Sequence, residues 1–127
     1  MKKLALIAVI LAYVQATQHD HTDPFNDLHG PNNIVIYGRD NQAYGAHNLM
    51  AGFRNKIRGQ LNKVFGDDNS VNGEENHVKD NRNKIKGKKN NIEGDSNSVD
   101  GDDNYVHGKN NIVGGTGNIV NSDLSEG

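Results

Sequence analysis

Hydrophobic and polar positions follow a strict seven-residue period from Gly38 to Asn121. The unit reads Gly-x-x-Asn-x-[Val/Ile]-x, and twelve such units follow one another without a gap. Position 1 is Gly except at Asp80, position 4 is always Asn, position 6 is apolar, and the other positions are mostly polar. A short and strict period indicates a repeat architecture, in which every unit supplies the same small structural element.

The unit predicts a short strand and a corner, although a period of seven also occurs in coiled coils. A coiled coil needs apolar residues three and four apart, and each helical Gly would cost about 1 kcal/mol. Here the two nearly fixed inner positions are two apart, which is the spacing of one face of a strand. Val and Ile suit strands, and Gly suits a corner with positive φ, where Asp is one of the tolerated substitutes. The chain is therefore expected to coil as a β-solenoid.

The charges predict how many units form one coil. Residues one coil apart should stack about 4.8 Å apart, so like charges should be avoided at that offset. At an offset of fourteen, Asp40, Arg54, Asp68 and Arg82 alternate in sign, and the repeat block contains no like-charged pair. At an offset of seven, like-charged pairs such as Asp67 with Glu74 are common. We therefore predict an all-β fold, a two-sided β-solenoid (β-roll) with 14 residues per coil.

This β-roll should have about six regular coils, a degenerate N-terminal coil and a thin core of side chains at position 6. Stacked Asn side chains at position 4 should add amide hydrogen bonds between coils or to the corner backbone. The predicted core residues are Ile57, Val64, Val71, Val78, Ile85, Ile92, Val99, Val106, Val113 and Val120. The predicted Asn ladder consists of Asn55, Asn62, Asn69, Asn76, Asn83, Asn90, Asn97, Asn104, Asn111 and Asn118.

The ends of the chain differ from the repeat. Residues 1–16 have a basic start, an apolar run too short to span a bilayer and a small-residue cleavage site, which predicts a signal peptide and a secreted protein without a membrane anchor. Residues 17–29 are expected to be a flexible segment, and the solenoid is expected over 30–121 with a tail at 122–127. Pro31 to Tyr37 resembles a degenerate unit with an extra residue, as is usual for a cap.

Charge and composition exclude several functions. Without Lys2 and Lys3 the chain has 12 basic and 16 acidic residues, a net charge of −4, so we expect no nucleic-acid partner. A tight two-sheet roll offers no cleft, so we expect no enzyme and no cofactor. After cleavage at Ala16, His19 would be the third residue, and a free amine with such a His can bind Cu(II), although a plain polar terminus is the alternative.

The spacing Asn-x-[Val/Ile]-x-Gly, repeated in pairs of seven over residues 38–121, resembles the grass ice-recrystallisation-inhibition (antifreeze) proteins. The resemblance implies inward Val, stacked Asn and the binding of ice crystal surfaces through one flat face. Outward positions in that family are rich in Thr, Ser and Val. The residues here that resemble this pattern are Ser70, Asn72, Asn91, Ser98, Ile112 and Ile119. Of these, the candidates for the ice-binding face are Ser70, Asn72, Ser98 and Ile112.

A second hypothesis is a structural role, as a self-assembling or adhesive component of an extracellular matrix, a coat or a granule. Charge-complementary coils and a C-terminal end with little capping favour end-to-end stacking, because open strand edges pair readily.

Overall fold

A computed structural model describes residues 25–122, and these residues form strands and turns without a helix. None of them therefore belongs to a helix that is long and apolar enough to cross a membrane. Each seven-residue unit supplies one short strand and one corner, as predicted. The strands are β1 Asp27–His29, β2 Ile34–Val35, β3 Gln42–Tyr44, β4 Leu49–Ala51, β5 Lys56–Arg58, β6 Lys63–Phe65, β7 Ser70–Asn72, β8 His77–Lys79, β9 Lys84–Lys86, β10 Asn91–Glu93, β11 Ser98–Asp100, β12 Tyr105–His107, β13 Ile112–Gly114 and β14 Ile119–Asn121.

The strands form two parallel sheets of seven strands each, one from the odd-numbered and one from the even-numbered strands. Neighbouring strands in a sheet are paired at an offset of fourteen residues, for example Val71 with Ile85 and Val78 with Ile92. Two units therefore form one coil, and the predicted two-sided β-solenoid is confirmed. The charge pattern could predict this offset because side chains in register stand only about one strand spacing apart.

The N-terminal coil is complete and starts earlier than the predicted boundary at residue 30. β1 precedes that boundary, within the segment expected to be flexible, and pairs with β3. The register of this coil is fifteen residues, Asp27 with Gln42 and Ile34 with Leu49, which confirms the predicted extra residue. The sequence carried a signal for β1, because Asn26-Asp27-Leu28-His29-Gly30 matches the unit with Leu at the inner position.

The core is one row of position 6 side chains from each sheet, meeting between the sheets. Every predicted core residue from Ile57 to Val113 is buried, and Ala43 and Met50 extend the cluster. Val120 is only partly buried, since it lies in the last coil that the structure describes, with no later coil packed against it there. The repeat therefore determines which residues form the core. The position of a coil in the stack decides how deeply its position 6 side chains are buried.

Asn ladders run along both corners of the roll, as predicted. In a typical rung, Asn62 Oδ1 accepts hydrogen bonds from the backbone N–H of Asn76 at 3.1 Å and from its Nδ2 at 3.0 Å. Asn62 Nδ2 donates to the carbonyl oxygen of Gly73 at 2.9 Å. The ladders also include Asn26 and Asn33, whose Oδ1 atoms accept from the backbone N–H groups of Asn41 and Asn48. Each amide therefore satisfies buried polar groups of the next coil, which would otherwise be costly.

The corners need Gly at position 1 for two reasons. Gly73 has φ +151°, and a Cβ atom there would lie 1.7 Å from the carbonyl oxygen of Gly87 in the next coil. Asp80 is the exception at position 1, with φ 75°. One coil further on, the backbone N–H of Gly94 donates to the carbonyl oxygen of Lys79 at 3.3 Å, a longer distance than at the other position 1 glycines. Position 3 of the unit also has positive φ, which was not predicted. Even Leu61 has φ 59° there, although this left-handed conformation is unfavourable for such a side chain.

Candidate functional site

The outward side chains at positions 5 and 7 form two flat faces, one on each sheet. Face A lies on the odd-numbered strands and face B on the even-numbered strands. Face A consists of Asp27, His29, Gln42, Tyr44, Lys56, Arg58, Ser70, Asn72, Lys84, Lys86, Ser98, Asp100, Ile112 and Gly114. Face B, over its regular coils, consists of Leu49, Ala51, Lys63, Phe65, His77, Lys79, Asn91, Glu93, Tyr105, His107, Ile119 and Asn121.

All four residues proposed from the resemblance lie on face A. Ser70 and Asn72 are exposed on β7, Ser98 is half-buried on β11, and Ile112 on β13 is 89% exposed. Ser98 and Ile112 are neighbours in register, but Lys84 lies in register between Ser70 and Ser98. The structure therefore brings the four residues together as two pairs, separated by the cationic strand β9.

The N-terminal end of face A carries a polar and aromatic cluster that the sequence reasoning missed. The Asp27 carboxylate lies 2.7 Å from His29 Nε2, and the Tyr44 hydroxyl donates to the same carboxylate at 3.1 Å. The rings of His29 and Tyr44 stack with their centroids 4.7 Å apart, and Arg58 lies over the other side of Tyr44 at 5.8 Å. The hydrogen bond to Asp27 and its negative charge raise the pKa of Tyr44. The signal that could have revealed this cluster is the Asn26-x-Leu28-x-Gly30 unit that predicts β1.

Face B is more apolar at its N-terminal end. Leu49 and Phe65 are half-buried there, and Ala51, on the same strand as Leu49, is 1% exposed. Further along, the rings of Phe65 and His77 lie 6.1 Å apart in a tilted arrangement. Asn91 follows His77 in register, and its buried Oδ1 atom has no hydrogen-bond partner among residues 25–122. Face B therefore differs from face A in its chemistry as well as in its sheet.

The corners between the faces hold the stacked charges that the offset of fourteen predicted. Arg54 donates to Asp68 through two nitrogen atoms, at 2.6 and 2.8 Å, and this bond lowers the pKa of Asp68. Lys88 lies 3.2 Å from Glu74, and Lys109 lies 3.7 Å from Asp95. The stacking of opposite charges is thus confirmed at these rungs.

Acidic side chains at position 2 of the corners also bind the backbone. Asp67 and Asp102 accept hydrogen bonds from the N–H groups of Phe53 and Lys88, one coil earlier. Asp95 accepts from the N–H of Asn81 at 2.9 Å, which is the main cause of its lowered pKa. These carboxylates are therefore used within the roll, and among residues 25–122 no group of His, Cys, Asp or Glu could hold a metal ion. The Cu(II) site proposed at His19 lies outside the described residues.

Both faces have the geometry of a repeating surface. Strand spacing sets one period, about 4.8 Å, and the alternate residues of a strand set the other, about 6.6 Å. The family model of the grass antifreeze β roll matches residues 22–123 of the chain. The chain belongs to this grass antifreeze β-roll family. The family consists of antifreeze proteins rather than enzymes, so membership supports an antifreeze-like function with an ice surface as partner. A comparison with curated proteins found no match.

Proposed function

We propose that this grass antifreeze β roll binds ice crystal surfaces through face A and thereby inhibits the growth of large ice grains. The observation that carries this proposal is the constant register of the sheet, in which every regular coil of face A repeats at fourteen residues. A constant register places outward groups on a rigid, flat lattice, and such a lattice can contact an equally regular crystal surface over many points at once. The family match supports the same function.

The part of face A that should contact ice is the pair of neutral patches formed by Ser70 with Asn72 and by Ser98 with Ile112. Ser and Asn side chains can share hydrogen bonds with ordered water, and Ile112 exposes apolar surface next to Ser98. The intervening Lys84 and Lys86 hold their own hydration water. Ice binding is therefore expected to be weaker than that of a face with neutral residues in every coil.

The test is an ice-recrystallisation assay on residues 17–127 with two matched double variants. Ser70→Lys with Ser98→Lys places two charges on face A, and His77→Lys with Tyr105→Lys places two on face B at the same positions of the same coils. We expect small, stable ice grains with the unchanged protein and with the face B variant, and coarse grains with the face A variant. A Val71→Asp, Val99→Asp variant serves as the unfolded control, because it places charges in the core.

Two outcomes would contradict the proposal. Coarse grains with the face B variant alone would assign ice binding to face B. Coarse grains with the unchanged protein would mean that the roll does not restrain ice, and the structural hypothesis would take its place.

We also propose that residues 1–16 are a signal peptide and that the protein is secreted without enzymatic activity. The support is the sequence pattern of this segment, a basic start followed by an apolar run and a small-residue cleavage site. Expression of the full chain in a eukaryotic cell should yield a product in the medium that begins at Thr17, as measured by mass spectrometry. Retention in the cell of a chain that still begins with Met1 would contradict this.

The edge that β13 and β14 form in the described part of the roll favours one alternative function, self-assembly by end-to-end stacking. Within residues 25–122, β13 and β14 each pair with an earlier strand only, and Ile112 and Ile119 are 89% and 82% exposed. An unpaired strand edge is a template for another chain. Light scattering that grows with concentration would support stacking, particularly if Ile112→Lys with Ile119→Lys abolished the growth. A strict monomer at high concentration would count against it.

A further inference from the structure

Face A carries a rectangle of four lysine and arginine side chains that the ice-binding proposal does not use. One of them, Arg58, also lies 5.8 Å from the ring centroid of Tyr44. Lys56 and Arg58 project from β5, and Lys84 and Lys86 project from β9. All four side chains are exposed. The strand between them, β7, contributes the neutral residues Ser70 and Asn72 in the same two rows. We refer to these four side chains as the cationic rectangle.

The spacing of the cationic rectangle follows from the fold. The two cations on each strand are two residues apart, about 6.6 Å, and the two strands are two coils apart, about 9.5 Å. At several corners of the roll the charges of successive coils form ion pairs, as in Arg54 with Asp68 and Lys88 with Glu74. Among the described residues, no carboxylate lies within 4.0 Å of the charged nitrogens of Lys56, Arg58 or Lys84, and Lys86 lies 3.9 Å from Asp100 at the rim.

We propose that the cationic rectangle binds a single chain of an acidic polysaccharide that lies across the strands, parallel to the axis of the solenoid. A sugar ring extends such a chain by roughly one strand spacing, so acidic groups on alternate sugars would meet cations two coils apart. Ser70 and Asn72, placed between the cations, offer a hydroxyl and an amide to the sugar hydroxyl groups.

The face that holds the cationic rectangle is only one three-residue strand wide. The corners beside it are mixed in charge, because the carboxylates Asp68 and Glu74 pair with Arg54 and Lys88 of the neighbouring coils. Within the rectangle itself, β5, β7 and β9 carry no carboxylate. A single extended polyanion fits on this face, whereas a duplex nucleic acid or an anionic bilayer is broader and would also lie over the mixed corners. Face B offers no equivalent, because its Lys79 has Glu93 as its register partner.

The binding experiment compares two quadruple variants with the same change of charge. Lys56→Gln, Arg58→Gln, Lys84→Gln and Lys86→Gln remove the cationic rectangle. Lys63→Gln, Lys79→Gln, Lys88→Gln and Lys89→Gln remove four exposed cations from face B and a corner. The full chain is titrated by calorimetry with heparin octasaccharide and with octagalacturonate. These two probes separate sulfate from carboxylate recognition.

Binding of at least one oligosaccharide by the unchanged protein is expected, with a logarithmic salt dependence of slope about −3 for four ionic contacts. The cationic-rectangle variant should bind at least tenfold more weakly, whereas the control variant should change affinity less than threefold. Equal losses in both variants, or no binding by the unchanged protein, would overturn the proposal. Equally tight binding to duplex DNA or to phosphatidylserine vesicles would also overturn it, because the partner would then be of another class.

The proposal does not depend on ice binding, and one variant separates the two. Ser98→Lys with Ile112→Lys adds cations to the neutral pair of face A that lies outside the cationic rectangle, so it should bind the oligosaccharides at least as tightly as the unchanged protein. The same variant should weaken the effect on ice grains. Weaker oligosaccharide binding by this variant, at an unchanged melting temperature, would show that the cations of face A do not attract the ligand.

Discussion

At the scale of single residues, the Asn at position 4 links coils through more groups than a position 6 side chain does. Asn76 Oδ1 accepts from the N–H of Asn90 at 3.0 Å and from its Nδ2 at 3.2 Å. Asn76 Nδ2 donates to Asn62 Oδ1 at 3.0 Å and to Gly87 O at 2.9 Å. All of these atoms are in a narrow corner, where a lost partner is not readily replaced by water.

Replacing Asn76 by Ala should lower the free energy of unfolding by about 3 kcal/mol or more, since each buried group left without a partner costs about 1–3 kcal/mol. Asn118→Ala is the matched control, because Asn118 is in the last coil that the structure describes and its Nδ2 donates, within residues 25–122, only to Asn104 Oδ1 and to the exposed Gly114 O. The control should cost roughly 1 kcal/mol. Urea unfolding measures both, and equal losses would mean that the ladder does not act through stacking.

At the scale of the coil, the corner carboxylates make the stacking of neighbouring coils dependent on pH. The Arg54 guanidinium holds the pKa of Asp68 below its ordinary value, and the N–H of Asn81 does the same for Asp95. A carboxyl group with a lowered pKa in the folded state stabilises the fold above its unfolded pKa, and this contribution is lost as the pH falls through the folded pKa.

The melting temperature should therefore stay nearly constant from pH 7 to about pH 5 and fall towards pH 2. Asp95→Asn keeps an oxygen that can accept from Asn81 but cannot titrate, so its melting temperature should fall less over the acid range. Circular dichroism at a series of pH values makes the comparison. An identical acid slope in the variant would mean that Asp95 does not contribute to the pH dependence.

At the scale of the whole molecule, the roll is a one-dimensional stack in which each coil contacts only its neighbours, so coils can be removed in whole units. Deleting 59–72 or deleting 101–114 removes one complete coil of fourteen residues and two core valines in either case. The two deletions differ in the charges that they bring into contact. Deleting 59–72 brings three like pairs to an offset of fourteen residues, namely Arg54 with Arg82, Lys56 with Lys84 and Arg58 with Lys86, whereas deleting 101–114 brings one, Asp95 with Asp123.

Both shortened chains should fold, and the chain without 59–72 should melt at the lower temperature. Like charges in register are destabilising by roughly 0.2–1 kcal/mol for each pair. High salt should narrow the difference, because exposed charges are screened over about 3 Å at 1 M. Thermal melts in low and high salt measure this, and a difference that does not respond to salt would point to packing rather than charge.

The sequence by itself determined the period, the strands, the core and the number of residues in a coil. Each regular coil repeats the same contacts, so one seven-residue unit is enough to predict the strands and the core. The alternation of charge, as between Arg54 and Asp68, adds the number of residues in one coil. Family membership also followed from the motif, as the match over residues 22–123 confirms.

Only the tertiary structure decided what happens where the repetition fails. The pairing of β1 with β3, which completes the first coil before the expected boundary at residue 30, was seen only in the structure. The cluster of Tyr44 with Asp27 arises from that pairing, between residues that the period does not place together. The left-handed backbone at position 3 is set by corner closure and not by residue type, since residues as different as Leu61 and Lys89 adopt it.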